Sequence, residues 1–321
     1  MARTIFLTGA AGFIGAHTAK ALLERGDTVI GIDNLNDYYS PQLKDDRLTW
    51  LKPYPEFHFY KADIADQQDL NKIIEKHLPD TICHLAAQAG VQYSLQNPLA
   101  YIQSNVVGTT VIFEAAKQFK IPQVVYASSS SVYGNSPTAP FTEEQNTDHP
   151  ISLYAATKKS CEVIAYSYHH LYGIKTTGLR FFTVYGPWGR PDMAPFKFAK
   201  GIWKGETLNL NDHGKARRDF TFIDDIVSGI LLSLDKSLDY ELINLGGSNV
   251  VDLESFVSLF EKHLQKTAKR NLVPLPPGDV PLTSAKTDRA QQLLGWAPKT
   301  PIDKGVQQFC RWFKEYYSNA L

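Results

Sequence analysis

The sequence has 321 residues, enough for one large α/β domain or for two smaller lobes around a substantial core. Lysine plus arginine and aspartate plus glutamate each number 33, so no net charge directs the chain to nucleic acid or to a membrane surface. The three cysteines lack the spacing of a disulfide framework or a zinc site, and we expect neither a signal peptide nor a membrane span from the patterns present. We therefore expect a cytoplasmic protein without a bound metal.

Short runs rich in β-branched residues alternate with helix-length segments through the first half of the chain. In chain order, the predicted strands are TIFLTG, TVIGID, FHFYKAD, TICHLA and QVVYASS. Strands separated by helices are typical of parallel βαβ units, and the right-handed crossover rule arranges such units as a doubly wound sheet. We therefore expect an α/β fold with this sheet in residues 1–180.

The regular alternation ends after Phe181, in the Gly- and Pro-rich stretch RFFTVYGPWGRPDMAP. We interpret this stretch as the entry into a second, smaller α/β lobe that comprises mainly residues 181–321. The later segments DFTFIDDIVSGILLSL and YELINLG contain strand and helix patterns of their own. We expect residues 212–240 to return to the first sheet, so that the two lobes are interleaved.

A glycine-rich turn, TGAAGFIG, joins the first strand to the first helix and contains Gly9, Gly12 and Gly15. Glycines at these positions permit a tight turn and a close approach of the helix N-terminus to a pyrophosphate. The second strand ends in Asp33, whose carboxylate would bond the ribose hydroxyls of a dinucleotide and repel a 2′-phosphate. The pattern favours NAD over NADP, against the alternative of a plain glycine turn and a solvated aspartate. Asp63, which ends the third strand, is a candidate for bonding the adenine, for capping a helix or for a surface position.

Tyr154 and Lys158 lie four residues apart in YAATK, within a segment whose pattern predicts a helix. This spacing places both side chains on one helix face. A lysine ammonium beside a phenol favours the phenolate, which can then act as a base near neutral pH. The alternative for the isolated pair is a solvated tyrosine and lysine on an exposed helix.

The motifs together resemble one family, the extended short-chain dehydrogenase/reductases, which include nucleotide-sugar epimerases, dehydratases and decarboxylases. The resemblance covers nearly the whole chain and implies a Rossmann-type lobe that holds NAD, a Ser/Thr–Tyr–Lys catalytic set, and a smaller lobe that binds a nucleoside-diphosphate sugar. The matching segments, in order, are TGAAGFIG, Asp33, HLAAQAGV, SNVVGT, SSSSVYG, YAATK and RDFTFIDD.

The resemblance implies site residues at matching positions. The catalytic hydroxyl precedes Val132 by three positions, which makes it Ser129, beside Tyr154 and Lys158. Ser128 and Ser130 are then expected to bond the backbone at the strand end. The implied cofactor-binding residues are Gly9, Gly12, Phe13, Ile14, Gly15, Asp33, Asn34, Asp63, Ile64, Leu85, Ala86, Ala87, Asn105, Tyr154 and Lys158, with Asn105 alternatively a satisfied polar group of its helix.

The same resemblance bears on the reaction. Decarboxylases and dehydratases of the family carry a carboxylic residue in the motif, whereas this chain has none between Ser128 and Tyr133, which favours a 4-epimerase. The segment RFFTVYGPWGRPDMA has Thr183 where hexose epimerases usually carry asparagine, followed by an added loop with Arg190. This segment and DNLNDYYS are similar to the uronate-specific subgroup, which interconverts UDP-glucuronate and UDP-galacturonate. Arg190 would grip the sugar carboxylate through a bidentate fork.

Five residues are implied as substrate-binding by their positions: Ser131, Thr183, Arg190, Arg218 and Asp279. Arg218 matches the position that binds the diphosphate, and Asp279 an acidic position near the nucleotide ribose. Two residues depart from the family pattern. Hexose epimerases carry arginine at the position of Pro276, and related uronate enzymes often carry arginine at the position of Gln92.

Two alternatives stay open at this point: an epimerase of neutral UDP-hexoses, and an NAD-sensing binding protein without turnover. Apolar residues on the predicted helices at 98–119 and 152–172 suit pairing into a homodimer, as the family often does, although the same faces also suit a core.

Overall fold

The computed structural model describes residues 2–248 and 250–317. The strands of this part of the chain are β1 (Thr4–Thr8), β2 (Thr28–Asp33), β3 (Phe57–Lys61), β4 (Thr81–His84), β5 (Gln123–Ser129), β6 (Lys175–Phe181), β7 (Thr183–Tyr185), β8 (Thr207–Leu210), β9 (Arg217–Phe222), β10 (Tyr240–Leu245), β11 (Val250–Asp252) and β12 (Lys269–Leu272).

The helices alternate with these strands in the first half of the chain and cluster in the second. They are α1 (Phe13–Glu24), α2 (Pro41–Leu51), α3 (Gln67–His77), α4 (Val91–Gln96), α5 (Pro98–Tyr101), α6 (Gly108–Gln118), α7 (Leu153–Tyr172), α8 (Ala194–Lys204), α9 (Ile223–Lys236), α10 (Leu253–Leu264), α11 (Asp288–Leu294) and α12 (Ile302–Tyr317). A π-helix spans Ile102–Val107, and 3₁₀ turns span Ser130–Tyr133 and Asp212–Gly214.

Seven strands form one sheet in the order β3–β2–β1–β4–β5–β6–β10, and every neighbouring pair is parallel. Helices cover both of its faces, which is why Ile5, Phe6 and Leu7 of β1 are fully buried and the strand reads as a continuous apolar run. The predicted doubly wound parallel sheet is confirmed. Strand order reverses between β1 and β4, and ligands of such sheets bind in the crevice at that point.

A smaller lobe contains a three-stranded sheet, β11–β9–β7, and a two-stranded sheet, β12–β8. Residues 217–222 were expected to return to the large sheet, but as β9 they pair with β7 and β11 instead. The reason is the apolar face of β9, because the ring of Phe220 stacks on Phe256 at 3.8 Å within an aromatic core. The chain re-enters the first lobe only with α9, which packs on α1, and with β10, which pairs with β6.

Two features are absent from the described residues. No helix within residues 2–248 and 250–317 has both the length and the apolarity needed to cross a bilayer. The same residues contain no group of three or more histidine, cysteine, aspartate or glutamate side chains arranged to hold a metal ion.

Candidate active site

A cavity of about 510 Å³ lies over the crevice between β1 and β4 and extends to the smaller lobe. One wall consists of strand ends and turns of the large sheet, and the opposite wall consists of residues from β7, β9 and the turn that contains Asp279. Most of the predicted site residues face this one space. We call it the cleft.

The glycine-rich turn forms the floor of the cleft. Gly9 has φ +75°, and a Cβ on it would lie 2.8 Å from the amide nitrogen of Ala86. A Cβ on Gly15 would lie 1.9 Å from the carbonyl oxygen of Gly9, closer than any real contact. Side chains are therefore excluded at these positions, and the N-terminus of α1 faces the cleft with its unpaired N–H groups. Such a cradle fits the pyrophosphate of a dinucleotide.

Asp33 lies beside this cradle at the end of β2. Its carboxylate accepts hydrogen bonds from the amide of Ala11, at 3.1 Å, and from the amide of Leu35, at 2.9 Å. The bonds fix the carboxylate on the cleft wall, where it can also accept from ribose hydroxyls. The glycines and this carboxylate together fit NAD.

The structure separates the predicted cofactor residues into two sets. Asp63 and Asn105 do not line the cleft, because their side chains are engaged elsewhere. Asp63 accepts from the side-chain amide of Asn34 at 3.0 Å, and buried Asn105 bonds both backbone groups of Gln88 and the hydroxyl of Thr157. The hydrogen bonds of Asn105 thus agree with the alternative interpretation of this residue, a satisfied polar group within its helix. The walls carry Gly9, Gly12, Phe13, Ile14, Gly15, Asp33, Asn34, Ile64, Leu85, Ala86, Ala87, Tyr154 and Lys158.

The predicted catalytic set converges on the cleft from two elements. Ser129 ends β5, while Tyr154 and Lys158 lie one helical turn apart near the start of α7. The Nζ of Lys158 is buried and donates to the carbonyl of Ala127 at 2.8 Å. The hydroxyl of Ser131 donates to Oγ of Ser129 at 2.9 Å. A phenol, an ammonium and a polarised hydroxyl around one space can remove a proton from an alcohol and return it.

Ser128 was expected to bond the backbone, and this expectation is wrong. Its hydroxyl donates to Oε1 of Glu162 at 2.7 Å. Glu162 on α7 is in turn paired with Arg180 on β6, at 2.8 and 2.9 Å for the two bonds. Both side chains are 2% exposed. The pair therefore joins the helix of Tyr154 to the two strands beside it.

Replacing Glu162 with alanine is expected to lower the free energy of unfolding by about 3–5 kcal/mol, since it leaves Arg180 buried without its counter-charge. Urea denaturation measures this difference. Glu254→Ala is the matched control, because Glu254 pairs with Arg270 at the surface, where such a pair contributes about 1 kcal/mol or less. Equal losses in the two variants would contradict the anchoring role of Glu162.

Arg190 lines the cleft. The prediction that its guanidinium offers a free bidentate fork to a ligand is not met, because Asp192 bonds two of its nitrogens. Nε and Nη2 donate to the two carboxylate oxygens of Asp192, at 3.0 and 2.6 Å, and Nη2 also approaches the carbonyl of Ala89 at 3.3 Å. Burial raises the pKa of Asp192, yet the charge and hydrogen bonds of Arg190 outweigh burial and lower it overall. Nη1 has no hydrogen bond to any described residue, and it is the group left for a ligand.

The other predicted substrate residues also face the cleft. Nη2 of Arg218 donates to Oδ1 of Asp279 at 3.0 Å, and both residues line the cleft. The residues expected to bind the diphosphate and the ribose therefore form an ion pair with each other. Ser131, which bonds Ser129, and Thr183 also line the cleft. Gln92 donates to the carbonyl of Pro277 at 3.1 Å and so joins the two sides of the cleft.

Sequence reasoning missed several residues of the loop after β2. The hydroxyl of Tyr38 donates to Oδ2 of Asp192 at 3.1 Å, and burial, with the charge of Asp192, raises the pKa of Tyr38 to about 12. Lys44 lies on the same wall, and its Nζ donates to the backbone and side-chain oxygens of Asn36, at 2.6 and 2.8 Å. The sequence motif that contains Asn36 and Tyr38 is DNLNDYYS. It indicated similarity to the uronate-specific subgroup but did not predict these contacts.

Comparison with known proteins agrees with this geometry. Residues 5–246 match the model of the family described as NAD dependent epimerase/dehydratase. UDP-glucuronate 4-epimerase 4 of Arabidopsis thaliana is 46% identical over 333 residues, which cover 98% of this chain and 76% of the plant protein.

Solved structures agree as well. UDP-glucuronic acid 4-epimerase from Bacillus cereus, in complex with UDP-glucuronic acid and NAD, is 33% identical with a TM-score of 0.92, covering 98% of this chain and 100% of that one. A UDP-glucose 4-epimerase from Thermotoga maritima, with UDP-glucose, is 28% identical with a TM-score of 0.90 over 98% and 99% of the two chains. The predicted resemblance is thereby confirmed, and this chain belongs to the NAD dependent epimerase/dehydratase family.

Proposed function

We propose that the protein is a 4-epimerase that interconverts UDP-glucuronate and UDP-galacturonate with tightly held NAD. The observation that carries the proposal is a single cleft whose walls unite a dinucleotide cradle, the Ser129, Tyr154 and Lys158 set, and Arg190. The similarity to a plant UDP-glucuronate 4-epimerase, at 46% identity, supports the choice of a uronate over a neutral sugar.

The cofactor would rest on the glycine cradle, with its ribose at Asp33 and with Lys158 beside it. NAD, when bound there, accepts the hydride of the sugar C4 and later returns it, so no external oxidant is consumed. We propose that residues 1–180, together with α9 and β10, hold this cofactor, and that most of residues 181–321 bind the nucleotide sugar.

Protons are handled by the chain itself. Oη of Tyr154 takes the proton of the sugar 4-hydroxyl, while Ser129 hydrogen-bonds the same oxygen and Lys158 stabilises the phenolate. The 4-keto sugar turns about its diphosphate linkage and presents its other face. Tyr154 then returns the proton to O4, and the product differs from the substrate only in the configuration at C4.

Retaining carbon dioxide is the special demand of a uronate. Its 4-keto intermediate is a β-keto acid, which loses carbon dioxide when the breaking bond aligns with the carbonyl π system. We propose that Nη1 of Arg190, with Thr183 and Ser131, holds the carboxylate out of that alignment, because all three residues line the cleft. The 3₁₀ turn at Ser130–Tyr133 also lacks a carboxylic acid that would protonate the decarboxylated product.

Arg190→Ala is expected to raise the KM for UDP-glucuronate by about 10- to 100-fold, through loss of a charged hydrogen bond, and to increase the fraction of UDP-pentose formed. Steady-state kinetics and NMR of the products measure both effects. The double variant Arg190→Ala/Asp192→Asn removes the repulsion from the orphaned carboxylate and isolates the lost contact. Arg311→Ala, which removes an exposed arginine of α12 outside the cleft, is the control. An unchanged KM and an unchanged pentose fraction would rule out the clamp.

The substrate is tested by incubating the purified protein with UDP-glucuronate, without added NAD, and following the anomeric signals by NMR. The proposal predicts UDP-galacturonate alone. A UDP-pentose product would identify a decarboxylase, and turnover of UDP-glucose in preference to the uronate would identify a neutral hexose epimerase. No turnover of any UDP-sugar would favour a binding protein.

We propose that the protein is a homodimer and acts in the cytoplasm. Large apolar side chains are exposed on α5 and α7, with Leu99, Val163 and Tyr166 76%, 55% and 53% exposed, as suits a helix-to-helix interface. The three buried cysteines are unpaired thiols, which suits a reducing compartment. Light scattering should give about twice the 36.0 kDa of one chain, and a monomeric mass would overturn the dimer.

A further inference from the structure

Arg47 on α2 is fully buried, yet it forms no ion pair with any described carboxylate. Its guanidinium donates instead to three neutral acceptors: the carbonyl of Ala11 at 3.0 Å, the hydroxyl of Tyr39 at 2.7 Å and the carbonyl of Trp188 at 2.6 Å. A buried charge without a counter-charge is costly. The burial of Arg47 therefore costs free energy that side-chain packing alone does not explain.

The acceptors belong to three different segments of the cleft wall. Ala11 lies in the glycine-rich turn, and its amide donates to Asp33 while its carbonyl accepts from Arg47, so this residue is held from both sides. Tyr39 lies in the loop after β2. Trp188 lies in the loop at 186–193, two residues before Arg190. One side chain thus joins the cofactor cradle to the loop that grips the substrate.

The conformation of Trp188 shows how tightly that loop is held. Its φ is +63°, a left-handed value that a non-glycine residue keeps only when its surroundings fix it. The bond from Arg47 holds its carbonyl, and its ring packs edge-on against Trp50 and Tyr316, each with ring centroids 4.7 Å apart. Loss of the bond would release backbone strain next to Arg190.

We propose that Arg47 is a positioning residue that makes cofactor retention and substrate binding depend on one buried guanidinium. It does not line the cleft and acts through the backbone of the turn and of the 186–193 loop. The anionic pyrophosphate that suits the glycine cradle would also offset the positive charge of Arg47 from across the Ala11 peptide. The part that concerns the sugar rests on the proposed function, whereas the part that concerns the cofactor does not.

The test uses Arg47→Met, which keeps the apolar length, and Arg47→Lys, which keeps the charge but has a single nitrogen for three acceptors. The NAD content of the purified proteins and the dissociation constant of NAD are measured first, without any sugar. Both variants are expected to bind NAD about ten-fold more weakly or worse, through loss of charged hydrogen bonds. Tryptophan emission should shift as Trp188 leaves its aromatic packing. The KM for UDP-glucuronate should rise about ten-fold at saturating NAD, with kcat changed much less.

Arg270→Met is the matched control, since it removes an arginine and two ion pairs from the smaller lobe away from the cleft. It should leave NAD binding and KM unchanged. A folded Arg47→Met protein with wild-type NAD affinity and emission would overturn the proposal, and if that variant does not fold, the same measurements on Arg47→Lys decide. Failure of the wild type to turn over UDP-glucuronate would refute the proposed function and leave the NAD measurements valid.

Discussion

Replacing Tyr154 with phenylalanine is expected to lower kcat by about 10³-fold, the usual contribution of a positioned acid–base group. The ring remains, and with it the edge contact to Tyr101, whose ring centroid lies 6.0 Å away. The lost atom is the phenol oxygen, the only group of this residue that can take the proton of the sugar 4-hydroxyl. Product formation followed by NMR measures the loss, and the NAD content should stay at the wild-type level.

Tyr168→Phe on the same helix is the control for this result. Tyr168 lies about four helical turns along α7 from Tyr154. It does not line the cleft and donates to Glu114, so its loss should leave kcat unchanged. If Tyr154→Phe kept more than about a tenth of wild-type activity, less than the smallest effect usual for such a group, another residue would have to be the base. Ser129 would be the next candidate, because it is the other hydroxyl of the set on the cleft wall.

The second large effect is expected from Gly15→Ala. Alanine within a helix is normally favourable by about 0.5–1 kcal/mol over glycine, so propensity alone predicts a more stable protein. The structure reverses the sign, because the new Cβ would lie 1.9 Å from the carbonyl oxygen of Gly9 and the contact is with backbone. The turn must open, and with it the cradle. We expect loss of copurified NAD and of activity, together with a lower thermal midpoint.

Gly201→Ala separates this effect from a general cost of adding a methyl group. Gly201 lies inside α8, and its nearest contact is the terminal methyl of Leu208, a flexible side-chain end. NAD content should be normal in that variant. Gly15→Ala protein that retains NAD at the wild-type level would show that the turn is not the cofactor site.

Local patterns explain why much of the first lobe was predictable. Parallel strands with both faces buried read as apolar runs, and glycines that a turn requires stand out between a strand and a helix. The i, i+4 spacing of Tyr154 and Lys158 placed both side chains on one helix face, and the family resemblance, not a local pattern, singled out Ser129. The structure brings all three residues to the cleft. The small sheet was harder, since β7, β9 and β11 pair across long sequence separations.

The charged residues show the limit of sequence reasoning most clearly. Arg190 was read as an open fork, but Asp192, two residues on, occupies it. Arg218 and Asp279 were read as two separate contacts, yet they are one ion pair across 61 residues. The burial of Arg47 was not predicted, because an arginine in a polar helix normally faces solvent. Pairing and burial of charges depend on the packed chain, and no local pattern encodes them.

In the proposed reaction, one cleft removes a hydride from C4 and returns it to the same carbon. UDP-glucuronate carrying deuterium at C4, incubated with the wild-type protein in ordinary water with excess unlabelled NAD, reports on both transfers. UDP-galacturonate is expected to keep the deuterium at C4 after many turnovers, since nothing leaves the cleft between the two transfers. Loss of the label from C4 to solvent or to the added NAD would contradict the proposed reaction.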